Sequence, residues 1–146
     1  MKLPEFIEIK LMRATSKPPI KKYMGDAGYD VFNDDPSQLL GFGERVTLRL
    51  GFAINIPPDW FALIQEKSGM ARDNGLFTIG NVVDRNYRGE LHATICCMSH
   101  IPQKILHGQK VAQMILVQCY TGTDITLVDE VPESNRGTKG FGSSGL

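Results

Sequence analysis

The sequence predicts an all-β domain, and three observations carry that expectation. Apolar and polar residues alternate along many short segments, turn signals recur between them, and only one stretch reads as a helix. Many short strands with regular turns build a β-sandwich, a jelly roll or a barrel.

Taken in order, Ile7, Ile9 and Leu11 alternate with Glu8, Lys10 and Met12. Val46, Leu48 and Leu50 alternate with Thr47 and Arg49, and Phe52, Ile54 and Ile56 repeat the pattern. Residues 61–65 read as a more fully buried strand. The helix is expected next, capped by Ser68, running through Met70 to Asn74 and ended by Gly75. Alternation resumes at Leu91, Ala93, Ile95 and Cys97, and 111–119 reads as a second buried strand. Pro18-Pro19, Pro36, Gly41 to Gly43, Pro57-Pro58-Asp59 and Gly122 supply the turns. From Ser134 the composition shifts to four Gly and three Ser in 13 residues, with Phe141 and Leu146 the only large apolar side chains. Such a segment cannot bury itself. Residues 1–133 are therefore expected to form the core, and 134–146 a flexible arm.

A chain of 146 residues fits one domain. At 42% hydrophobic it is long and apolar enough for a proper core. Lys plus Arg number 16, as do Asp plus Glu. That balance argues against stable nucleic-acid binding, which needs a basic face, but not against a small anionic substrate. Cys96, Cys97 and Cys119 form neither an even framework nor a CxxC pair, so reduced thiols are expected. No apolar run approaches membrane length and no secretory core stands at the N-terminus, which predicts a soluble, cytoplasmic or nuclear protein.

Five segments carry chemistry-bearing residues, and each also has a plain reading. Glu66 to Arg72 places Lys67, Ser68 and Gly69 at the helix start, as an anion site or as simple capping. In residues 80–90, Arg85-Asn86 is expected to tip a hairpin that sets Asp84 opposite Tyr87. Asp84 then serves either as a base toward water or as a turn residue. Asp26 and Asp30, near glycine, suit a hydrated Mg²⁺ or a turn entering a strand. Gln113 either satisfies backbone groups or faces a ligand. In the arm, Gly140 to Gly145 matches GxGxxG, yet the chain ends one residue later, without the helix a dinucleotide site requires. What remains there is backbone and hydroxyl donors for phosphates, the fork of Arg136 and the ring of Phe141.

Together these segments resemble the homotrimeric dUTP pyrophosphatases, the dUTPase family. The five motifs read DAGYDV at 26–31, EKSGMA at 66–71, GNVVDRNYRGE at 80–90, GQKVAQMIL at 108–116 and RGTKGFGSSG at 136–145. Five motifs in order are far more specific than any one. The resemblance implies a jelly-roll-like β domain with one short helix, assembled as a closed trimer with active sites between subunits. It implies hydrolysis of dUTP to dUMP and pyrophosphate, which limits uracil incorporation into DNA and supplies dUMP for dTMP synthesis. Asp84 would activate the water, and Tyr87 would pack under the deoxyribose and exclude a 2′-hydroxyl. The backbone from Asn81 to Val83 would pair with the uracil edge in a pocket too tight for a 5-methyl group. Lys67, Ser68, Gly69 and Gln113 would meet the phosphates, and Asp30 would hold Mg²⁺ through water. Arg136, Gly142, Ser143 and Ser144 would close on the phosphates while Phe141 stacks over the base. None of His92, His100 or His107 falls inside a motif.

Three positions depart from the family's usual pattern: Lys67 for Arg, Asn81 for Gly and Ser144 for Thr. Lys keeps the charge without the bidentate fork, and Asn is the non-Gly residue most tolerant of positive φ. The basic stretch 17–22 reads as a surface loop. Two other functions compete. A dCTP deaminase of the same superfamily relies on a glutamate in the strand after the third motif, where this chain reads His92 to Ser99 with no acid. A non-catalytic scaffold would be expected to lose Asp84, Tyr87 or Arg136, and all three are present. A regulatory partner beside the activity stays open.

Overall fold

The computed structural model describes residues 7–122 and 124–140. Eleven strands and one helix are assigned among them. The strands are β1 (Glu8–Leu11), β2 (Tyr29–Phe32), β3 (Gln38–Leu40), β4 (Arg45–Arg49), β5 (Phe52–Asn55) and β6 (Trp60–Gln65). Helix α1 (Ser68–Asn74) follows, then β7 (Leu76–Ile79), β8 (Val82–Val83), β9 (His92–Cys97), β10 (Gln103–Ile105) and β11 (Lys110–Gln118). The all-β expectation therefore holds.

All strand pairings are antiparallel. The largest sheet runs β2-β11-β6-β8 and the next β4-β9-β7, with β1-β5 and β3-β10 as two-stranded pairs. One core cluster draws on both larger sheets. Val31, Ala62, Ile64, Ala112 and Met114 come from the first, and Leu48, Leu76, Ala93, Ile95 and Cys97 from the second. Each large aliphatic side chain so buried contributes about 1.5–3 kcal/mol relative to exposure.

Alternation places this core. In β9 every second residue is buried, as the pattern at 91–97 predicts. The expectation for 61–65 needs correction: β6 alternates buried and half-buried residues instead of being covered on both faces. In β1 the alternation is present but its apolar side stays uncovered, with Ile9 37% and Leu11 43% exposed. The strands β3 and β10, of three residues each, are too short for periodicity to announce them, and β7, which alternates buried and exposed residues behind the helix, is not assigned from the sequence.

The helix ends as expected and begins differently. Gly75 takes the left-handed conformation (φ 61°) and its N–H donates to the Met70 carbonyl. A side chain with a Cβ is strained there, so Gly is the natural stop. At the other end the capping position is Lys67, extended and without a side-chain cap bond, so Ser68 is the first helical residue and not the cap.

Candidate active site

Two groups of residues gather on the largest sheet. The first surrounds Asp30 in the edge strand β2. Asp30, Gln113 and Gln65 lie opposite one another across β2, β11 and β6. Lys67 Nζ contacts Asp30 Oδ1, and Lys110 Nζ lies 2.8 Å from Oδ2. A bulge interrupts β11 between Lys110 and Ala112, the kind of irregularity that re-aims a side chain beside a site. Burial pushes the Asp30 carboxyl up, but hydrogen bonds from Lys110 and Lys67 outweigh it and hold the group below its ordinary value. The cluster carries two positive charges and one negative.

Gln113 Nε2 donates to the Glu66 carbonyl at 3.1 Å, one residue before Lys67. The plain reading of this amide, satisfying backbone, is therefore realised. A Cβ on Gly28 would collide with the Gln113 amide, so a larger residue there would have to push that side chain aside. Thr78 Oγ1 donates to Glu66 Oε2 at 2.9 Å, and hydrogen bonding holds Glu66 below its ordinary value. Ser68 and Gly69 stand exposed at the helix start beside this cluster. The basic stretch is pinned to it: Ile20 and Asp30 exchange backbone hydrogen bonds of 3.1 and 2.7 Å.

The second group follows the opposite edge strand, β8. A pocket of about 220 Å³ is lined by Gly80, Val82, Val83, Asp84, Tyr87, Leu91 and His92. The Tyr87 N–H donates to the Asp84 carbonyl at 3.0 Å, which closes a turn over Arg85-Asn86. This is the expected tip without the expected hairpin. Strand β8 pairs with β6, whereas β9 pairs with β4 and β7, so the turn carries the chain between sheets. The Asp84 side chain is exposed and has no hydrogen-bond partner among the described residues. A bare carboxylate on a pocket wall is free to accept a proton from water. Tyr87 is 44% exposed and its hydroxyl donates to the Glu90 carbonyl at 2.9 Å.

Asn81 is less anomalous than its sequence context suggests. The left-handed position falls on Gly80 (φ 66°), so Asn81 needs no positive φ. Its carbonyl accepts from the Ile64 N–H at 2.8 Å, while its buried Oδ1 has no partner. The pocket also takes in Leu91, expected from the sequence only as a strand residue, and His92, expected to lie outside the motifs. The alternation of β9 holds the signal, because it turns His92 away from the core.

The two groups do not meet within one chain. Val83 pairs with Ala62, so Asp84 lies off the Phe61 end of β6, while Lys67 follows its other end. Six residues of strand at about 3.3 Å each put them roughly 20 Å apart. In the C-terminal segment, Arg136 is exposed and its Nε donates to the Lys139 carbonyl at 2.9 Å. Phe141, Gly142, Ser143 and Ser144 lie outside the described residues.

Among the described residues, no cluster of three or more His, Cys, Asp or Glu side chains is placed to hold a metal. Both oxygens of Asp30 are engaged by lysines in this structure, so any contact of Asp30 with a hydrated cation would require at least one of them to move. No helix among the described residues is long and apolar enough to cross a membrane.

The fold and site define an all-β protein with a lysine-clamped carboxylate on one sheet edge and a carboxylate-bearing pocket on the other. The dUTPase family model matches residues 14–145, and the chain belongs to the dUTPase family. It is 31% identical over 143 residues to the deoxyuridine 5′-triphosphate nucleotidohydrolase of Kluyveromyces lactis, covering 98% of this chain and 96% of that protein. The protein of the same name from Leifsonia xyli is 36% identical over 130 residues, covering 87% and 84%. Among solved structures, the dUTPase of Staphylococcus bacteriophage 80alpha with dUpNHpp shares the fold at a TM-score of 0.84. It is 23% identical and covered fully, with 98% of this chain aligned. A mutant dUTPase of phage phi11, described as coordinating a structural Mg(II) ion, matches at a TM-score of 0.76 and 21% identity, covering 86% of this chain and 97% of its own.

Proposed function

We propose that this protein hydrolyses dUTP, as its Mg²⁺ complex, to dUMP and pyrophosphate. The observation that carries the reading is the Asp84 carboxylate, without a partner among the described residues, on the wall of the pocket it shares with Tyr87. In this reading uracil lies against the backbone of Asn81 to Val83, and the deoxyribose lies on Tyr87. Asp84 takes a proton from a water that attacks the α-phosphorus, and the bond from that phosphorus to the bridging oxygen breaks, releasing pyrophosphate. The chain mainly positions groups and neutralises charge, as phosphoryl chemistry requires. Lys67 leaves Asp30 for phosphate, and Ser68, Gly69 and Gln113 complete that cradle.

A base must lie within hydrogen-bond reach of its water. The roughly 20 Å between Asp84 and Lys67 in register therefore supports sites completed by a second copy of the chain, in a closed trimer. The uncovered Ile9 and Leu11, and the exposed Ile125, Leu127 and Val131, are surfaces such an assembly would cover. Arg136, Phe141, Gly142, Ser143 and Ser144 would close the site from the arm.

The test is pyrophosphate release from dUTP, dTTP, UTP and dCTP side by side. Strong preference for dUTP is expected; equal rates overturn the pocket argument. Ammonia release from dCTP would favour the deaminase instead. Deleting residues 134–146 should abolish most turnover and leave the melting temperature nearly unchanged. A large fall in melting temperature with normal turnover would reject the arm as a lid.

A further inference from the structure

Arg13 belongs to none of the five motifs, yet it holds the loop that carries two of the proposed site residues. Its Nε lies 2.6 Å from Asp34 Oδ2, and its Nη1 and Nη2 both reach the Glu90 carboxylate, Nη1 at 3.3 Å. Asp34 is nearly fully buried and also accepts from Ser16 Oγ at 2.9 Å. A buried carboxylate is stable only when paired, so Asp34 fixes where the guanidinium sits. Glu90 in turn accepts from the Gly51 N–H at 3.1 Å. With both carboxylate oxygens engaged by Arg13 and one also by Gly51, the side chain of Glu90 has little freedom left.

The backbone of the same residue reaches the site. The Glu90 carbonyl is the acceptor for the Tyr87 hydroxyl, at 2.9 Å. Between the two lies Gly89, where a Cβ would come within 2.5 Å of that hydroxyl and 2.7 Å of the ring carbon bearing it. The Tyr87 ring is half-exposed, so packing alone does not fix it. Its orientation is set by the hydroxyl hydrogen bond and by the close approach over Gly89. On the outer side of the turn, Arg88 donates to the carbonyls of Arg85 and Tyr87 and to Asn55 Oδ1. The turn is thus held near its tip by an arginine within it, and at its exit by an arginine 77 positions away.

We propose that Arg13 is a positioning residue for sugar discrimination, acting through the Glu90 carboxylate and carbonyl on the Tyr87 ring. This rests on the reading of Tyr87 as the deoxyribose platform. If Glu90 is released, the ring loses its fixed acceptor, and room opens where a 2′-hydroxyl is otherwise excluded. Displacements of an ångström at a reacting centre are enough to change rates strongly.

The experiment measures kcat/KM for dUTP and for UTP, with melting temperatures, in the full chain and in Arg13→Met, Glu90→Gln, Tyr87→Phe and the Arg13→Met/Tyr87→Phe double variant. Arg13→Met should lower the preference for dUTP over UTP about tenfold, through a gain on UTP as well as a loss on dUTP. Glu90→Gln, which keeps its shape, should move the preference in the same direction by less and serves where Arg13→Met fails to fold. In the Tyr87→Phe background Arg13→Met should change the preference no further, because the acceptor no longer has a hydroxyl to hold. A lower melting temperature with unchanged preference in both variants overturns the proposal, since that is what a purely structural ion pair gives. Independent, additive effects of Arg13→Met and Tyr87→Phe also overturn it. If the unaltered protein itself fails to prefer dUTP, the reading of the site falls first and the proposal falls with it.

Discussion

Asp30 and Asp84 are the same side chain on the two edge strands of one sheet, in opposite situations. Asp30 is partly buried, with a lysine on each oxygen. Asp84 stands exposed past the end of β8, with nothing donating to it among the described residues. A carboxylate between two ammonium groups is stabilised in its charged form and is poorly placed to take up a proton. A bare one can take a proton but contributes little to folding. The contrast separates two residues that sequence motifs present alike: Asp30 is tied into a charge cluster, and Asp84 faces a pocket, as the proposed base would.

The largest expected effect breaks the comparison on the Asp84 side. Asp84→Asn should reduce pyrophosphate release from dUTP by about 10²–10⁴-fold, the usual contribution of a general base. Its melting temperature should stay close to that of the parent, because no partner is lost. Turnover near the parental rate would remove Asp84 from the role of base.

Asp30→Asn should do the reverse in kind. It leaves two lysines facing an amide, and a stability loss of about 1–2 kcal/mol is expected in urea unfolding, between the values for exposed and buried pairs. An unchanged midpoint would mean that Lys67 and Lys110 find solvent as readily as Asp30.

The smallest effect is in the pH dependence. The carboxyls of Asp30 and Asp35 are held below their ordinary values against the upward push of burial, Asp30 by Lys110 and Lys67, and Asp35 by Arg49. A depressed folded value means the stabilisation is fully present above the unfolded value, about 3.9, and lost as pH falls through the folded one. Melting temperature should therefore be level from pH 7 to about pH 5 and decline below about pH 4, less steeply in Asp30→Asn. An equally steep decline in that variant would assign the acid sensitivity elsewhere.

Much of this was legible in the chain itself. The period-two alternation at 91–97 and 46–56 located the core, and Gly75 located the helix end, because both depend on local geometry. The order of the five motifs identified the family that the comparisons then established. Several readings failed where neighbours distant in sequence decide. Ser68 satisfied every local criterion for a cap, yet the extended residue is Lys67, whose side chain reaches across to Asp30. The turn at Arg85-Asn86 was visible, but not that its flanking strands join different sheets.

By itself, then, the sequence determined the strands that alternate clearly, where the helix stops and which residues are candidates for chemistry. Backbone conformation and side-chain alternation are properties of a few consecutive residues. Only the tertiary structure decided what those residues touch. It set lysines on Asp30, left Asp84 without a partner among the described residues, put His92 on the pocket wall and brought Arg13 to Glu90. Charge pairing depends on strand register and on which edges face each other, and no short stretch of sequence contains that information.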